Sequence, residues 1–126
     1  MYFVLHVITC IFIFILHYKF ALLEGIATMQ AASDEGGYEV VSAFTGHGIS
    51  WYFHGPPDIY HVPNNIDGIM KPGMVFTVEP VISEGSGEIV LLNDGWTANS
   101  LDNSRAAQFE HTILITESGH EILTEL

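Results

Sequence analysis

The sequence predicts a mixed fold in which one helical stretch is followed by a succession of short strands. Three observations carry this. Leu22 to Ala32 is compatible with a helix, and Asp34-Glu35-Gly36-Gly37 ends it by turn chemistry. From Tyr38 onward the apolar residues fall in short runs separated by glycine-bearing turns, which is a strand pattern. No internal repeat or low-complexity linker interrupts the series, and 126 residues allow one domain with a modest core.

Taken in order, Tyr2 to Leu16 is almost continuously apolar, and the run resumes at Phe20 to Leu23 after His17-Tyr18-Lys19. Residues 2–23 are near the roughly 20-residue length that spans a bilayer. No basic residues precede the apolar core, and no small-residue cleavage site follows it, so it does not read as a signal peptide. A membrane anchor, a buried helix and a stretch foreign to the original domain remain open readings, and residues 1–36 are set apart from 37–126 on this basis. The expected strands are Tyr38 to Phe44, Ile49 to Phe53, Met74 to Ile82, Ile89 to Leu92, Trp96 to Ser100 and Ala107 to Thr116. Glu84-Gly85-Ser86-Gly87-Glu88 is expected to be a hairpin turn, and Glu117-Ser118-Gly119-His120 another.

Charge narrows the function classes. Fifteen acids against three basic residues give a formal charge of −12, which excludes a binder of nucleic-acid phosphates, since that affinity comes from clustered Lys and Arg. A metal or another cationic ligand suits the balance, while acidity that serves only solubility stands beside it. Cys10 is the only cysteine, so neither an intramolecular disulfide nor a thiolate metal cluster can form, and an intracellular setting is favoured.

The chemistry centres on Phe76-Thr77-Val78-Glu79-Pro80. Alternation puts Val75, Thr77 and Glu79 on one face of an otherwise apolar strand, and a carboxylate there must be paired, protonated or metal-bound. The run Ala107 to Thr116 likewise puts Gln108, Glu110 and Thr112 on one face. Thr45-Gly46-His47-Gly48-Ile49 adds an imidazole flanked by glycines that let the backbone turn tightly. One His and two Glu make a divalent-metal site. His47, His54 and His61 recur every seven residues, but Gly46, Gly48, Gly55, Pro56 and Pro57 forbid a helix that would stack them. Taken singly, each histidine is more often structural than a ligand.

Gly46-His47-Gly48-Ile49, Phe53-His54, Pro57-Asp58-Ile59-Tyr60-His61, Lys71-Pro72-Gly73 through Glu79-Pro80, Asp94-Gly95-Trp96-Thr97 and Ala107-Gln108-Phe109-Glu110-His111-Thr112 together resemble type I methionine aminopeptidase. The resemblance runs in order from about Gly37 to Leu126. Tyr52 to Gly55, Ser100 to Asn103 and Glu121 to Thr124 most resemble the mitochondrial form. It implies an α+β fold, namely the C-terminal half of the pita-bread architecture, with a curved antiparallel sheet and flanking helices. It implies a metallo-aminopeptidase that removes initiator methionine from the N-terminal peptide of nascent proteins, in the mitochondrion or cytoplasm.

By the same resemblance His47, Glu79 and Glu110 are metal ligands, with Glu110 bridging two ions and Glu79 also handling the attacking water. His54 contacts the substrate peptide and stabilises the tetrahedral intermediate, and Phe53 and Trp96 line the methionine pocket. Such ligands suit Co, Mn, Fe or Zn, any of which makes water a usable nucleophile near neutral pH. An aromatic pocket suits an unbranched thioether. The family's first half supplies two further aspartates and a histidine that nothing here replaces, so at most one weakly held ion and little or no activity are expected of this chain. Ser50 and Val62 depart from the family's glycine and its aromatic or histidine. A proline dipeptidase of the same fold and a non-catalytic peptide-binding module are the competing readings.

Overall fold

The computed structural model describes residues 36–66 and 68–125. The apolar segment 2–23 and the helix expected over Leu22 to Ala32 lie outside the described residues. Within them the regular elements are strands: β1 (Glu39–Val40), β2 (Gly46–Gly48), β3 (Gly55–Ile59), β4 (Val75–Val78), β5 (Val81–Ser83), β6 (Ile89–Leu91), β7 (Ala98–Ser100), β8 (Ala106–Gln108), β9 (His111–Ile115) and β10 (His120–Ile122). Among the described residues no helix is long and apolar enough to cross a membrane.

Every pairing is antiparallel. One sheet has the order β10-β9-β4-β2-β3, a second β1-β5-β8, and β6 pairs with β7 in a two-stranded ribbon. Neighbours on both sides bury β4, and Phe76, Thr77 and Val78 are each 1% exposed. Val40, Val41, Ile59, Met70, Ile82 and Ile113 complete the buried apolar set. Burying a side chain such as Phe76 contributes about 1.5–3 kcal/mol relative to leaving it in water.

The strand expected from Met74 to Ile82 is interrupted at Glu79-Pro80, giving β4 and β5. Proline has no N–H for the ladder, and its ring is incompatible with an inner-strand position. The strand expected from Ala107 to Thr116 is interrupted in the same way at Phe109-Glu110. The two interruptions coincide. Val78 faces His111 on one side of them and Val81 faces Gln108 on the other, the same offset in both sheets. One antiparallel ribbon thus runs from the five-stranded sheet into the three-stranded one, and its register carries straight across the break.

Three further expectations change. Residues 49–53 form the bend between β2 and β3, and the strand falls instead on Gly46-His47-Gly48. Only Glu39 and Val40 of the run from Tyr38 to Phe44 are strand. Glu84 to Glu88 is not a hairpin, because β5 pairs with β1 and β8 while β6 pairs with β7. The Glu84 N–H donates to the Arg105 carbonyl, and the next donors go to side chains, Ser86 N–H to Asp102 Oδ2 at 2.8 Å and Gly87 N–H to Glu39 Oε2 at 2.7 Å. The N–H groups of Ser86 and Ser104 stabilise the Asp102 carboxylate and hold its pKa down at about 2. The turn at Glu117 to Gly119 does join paired strands, β9 and β10.

Candidate metal centre

The glycines around His47 serve close packing rather than a turn. β2 lies between β3 and β4, and a Cβ on Gly46 would collide with the Thr77 carbonyl, one on Gly48 with the Pro56 carbonyl. Bare backbone at both positions lets the three strands meet around the single side chain of His47. That imidazole is 12% exposed. Its Nδ1 lies 3.2 Å from the Gly48 carbonyl, which can only accept, so a proton held on Nδ1 would leave Nε2 its lone pair for a cation. Nε2 points to Glu79 Oε1 at 3.5 Å.

Glu79 sits at the ribbon break, its side chain 15% exposed. The Thr77 hydroxyl donates to Oε1 at 2.7 Å, and Gln108 Nε2 donates to Oε2 and to the Glu79 carbonyl, both at 3.2 Å. Beneath it, the Glu79 N–H at 3.3 Å and the Gly46 N–H at 3.1 Å both donate to Nε2 of His61. His61 is 2% exposed, and burial pushes its pKa from 6.5 down to about 4, so it is neutral and joins the two ligand-bearing segments as an acceptor. Its Nδ1 has no hydrogen-bond partner among the described residues.

Register across the break sets Glu110 opposite Glu79. Ligand atoms of His47, Glu79 and Glu110 all lie within 4.8 Å of one another. Glu110 is exposed where the other two are half-buried. Two carboxylates directly opposite each other repel. Arg105 is paired with Glu84 rather than with either carboxylate, and Glu79 has the His47 imidazole beside it. One imidazole nitrogen and two carboxylates are the donor set a divalent cation takes.

Of the seven-residue histidine series, two members converge and one does not. The bend at 51–54 brings His54 edge-on to His47, with ring centroids 4.3 Å apart, and Phe53 joins them at 4.6 Å from His54 and 5.9 Å from His47. His61 instead points into the backbone between β2 and Glu79. Phe53 is 68% exposed. Trp96, at 87%, stands at the tip of the β6–β7 hairpin, where Asp94 Oδ1 accepts from the Trp96 and Thr97 N–H groups at 3.0 and 2.8 Å. Thr77, Gln108 and His61 were not singled out from sequence as parts of the site. For Thr77 and Gln108 the signal was present, since each shares a strand face with a glutamate two residues on.

A family model described as metallopeptidase family M24 matches residues 24–117. Human methionine aminopeptidase 1D, mitochondrial, is 52% identical over 99 residues, covering 79% of this chain and 30% of its own length. The crystal structure of methionine aminopeptidase from Rickettsia prowazekii matches with a TM-score of 0.81 at 40% identity, over 88% of this chain and 46% of that one. Prolidase from Pyrococcus furiosus matches with a TM-score of 0.59 at 25% identity, over 86% of this chain and 26% of that one. The chain spans less than half the length of each of these proteins.

Proposed function

Because the chain belongs to metallopeptidase family M24, we propose that His47, Glu79 and Glu110 hold a divalent cation in a methionine aminopeptidase acting on the N-terminal peptide of nascent proteins. One observation carries the reading: an imidazole nitrogen and two carboxylates, on three different segments, come within 4.8 Å of one another. Likeness to the Rickettsia methionine aminopeptidase, at 40% identity against 25% for the prolidase, favours methionine removal over proline dipeptide cleavage. The name of the human relative favours a mitochondrial setting.

A cation of the Co, Mn, Fe or Zn type held by these residues would supply Lewis acidity toward the peptide carbonyl and would lower the pKa of water. The protein's own residues do the rest. Glu79, with Oε1 fixed by Thr77 and Oε2 by Gln108, is held to accept the proton of the attacking water. His54, edge-on to His47, has a ring N–H that can donate to the substrate peptide or to the oxyanion of the tetrahedral intermediate. Phe53 and Trp96 offer aromatic surface to the thioether of methionine. Among the described residues three ligands come together, one of them exposed, a set that would hold one ion weakly.

The test has two arms. Purified chain equilibrated with Mn and analysed for bound metal should retain the ion, whereas a non-catalytic peptide-binding module should not. With excess Mn or Co, a Met-Ala-Ser peptide should be turned over slowly or not at all by this chain, and Ala-Pro not at all. Turnover of Met-Ala-Ser at a rate typical of enzymes would overturn the ligand-deficient description. Turnover of Ala-Pro instead would favour the dipeptidase.

A further inference from the structure

The Thr77 hydroxyl is bonded to both half-buried ligands at once. Thr77 lies in β4, 1% exposed. Its Oγ1 accepts the backbone N–H of His47 at 2.9 Å, across the β2–β4 contact, and lies 2.7 Å from Glu79 Oε1 and 3.4 Å from the His47 carbonyl. A hydroxyl has one proton to give. Of the two acceptors the carboxylate is closer and charged, so the proton goes to Glu79 Oε1. Oε1 is the same atom that Nε2 of His47 approaches at 3.5 Å. One oxygen therefore fixes where the His47 backbone sits and which way the Glu79 carboxylate is turned.

We infer that Thr77 is a positioning residue for the metal centre, its hydroxyl holding His47 and Glu79 in the mutual geometry that a cation needs. The inference rests on the metal-centre reading above. Outer partners of ligating side chains typically change metal affinity by 10- to 100-fold when lost. A packing role would depend on the shape of the side chain, and a positioning role depends on its hydroxyl.

Two substitutions separate these. T77V keeps the branched shape and removes the hydroxyl; T77S keeps the hydroxyl and removes the methyl. Manganese(II) titrated calorimetrically into the purified 126-residue chain gives Kd, and thermal unfolding without metal gives stability. The expected result is a Kd for T77S within about threefold of the unsubstituted chain and a Kd for T77V weakened about 10- to 100-fold. Where T77V does not fold, T77S decides alone: near-native Kd with lowered stability supports the role. A Kd for T77V equal to that of the unsubstituted chain, or one for T77S weakened more than tenfold, overturns it while leaving the metal centre standing. No binding by the unsubstituted chain overturns both.

Discussion

Glu79 and Glu110 face each other across a break shared by two paired strands, with the ladder in the same register on either side. Ordinary sheets avoid this arrangement, because opposed like charges cost about 0.2–1 kcal/mol. It presents two carboxylates from rigid flanks while the backbone between them is released from pairing. E110Q should therefore raise the stability of the metal-free chain by about 0.2–1 kcal/mol in urea unfolding and weaken Mn binding at least tenfold. A fall in stability would show that the charge on Glu110 is already offset.

His47 and His54 touch, yet they are assigned different work. H47A should abolish measurable Mn binding in calorimetry, since Nε2 is the nitrogen donor of the cluster. H54A should leave Mn binding within a few-fold of the unsubstituted chain. Equal losses in both would make the ring pair, rather than His47 alone, the metal-binding unit.

Burial of His61 makes stability depend on pH in a definite direction. Its folded pKa of about 4 lies below the ordinary 6.5, so the folded state binds fewer protons between those values. The contribution is fully present above pH 6.5 and is lost as pH falls through 6.5 toward 4. At about 1.4 kcal/mol per unit it amounts to on the order of 3 kcal/mol. Urea unfolding of the metal-free chain at intervals from pH 7.5 to 4 should show this loss, and H61Q should flatten it.

G46A and G48A should each destabilise the chain by more than the roughly 1 kcal/mol typical of a point substitution, because the added methyl meets backbone carbonyls that cannot swing aside. G119A, whose added Cβ meets nothing within 4 Å, is the control. Thermal unfolding of the three variants checks the ordering.

The sequence made the proposed ligand set legible and left its architecture hidden. Strand periodicity brought Glu79 and Glu110 forward because each interrupts an apolar run, and glycine flanks brought His47 forward. Periodicity could not show that both strands break at the glutamates, since Phe109-Glu110 carries no breaker of its own and follows the break imposed by Pro80 on its partner. It also misassigned the reason for Gly46 and Gly48, because crowding by other strands is a tertiary fact. The seven-residue spacing of histidines treated three rings alike. Only the bend at 51–54 and the burial of His61 distinguish the pair at the cluster from the one that braces backbone.

Trp51 and Trp96 are the only tryptophans of the chain, and both stand in water, at 103% and 87% exposure. Their indoles will emit like the free amino acid, so fluorescence is nearly blind to unfolding of this polypeptide. Shielding either ring by peptide or protein would shift emission to the blue, giving an optical signal of docking that requires no added label.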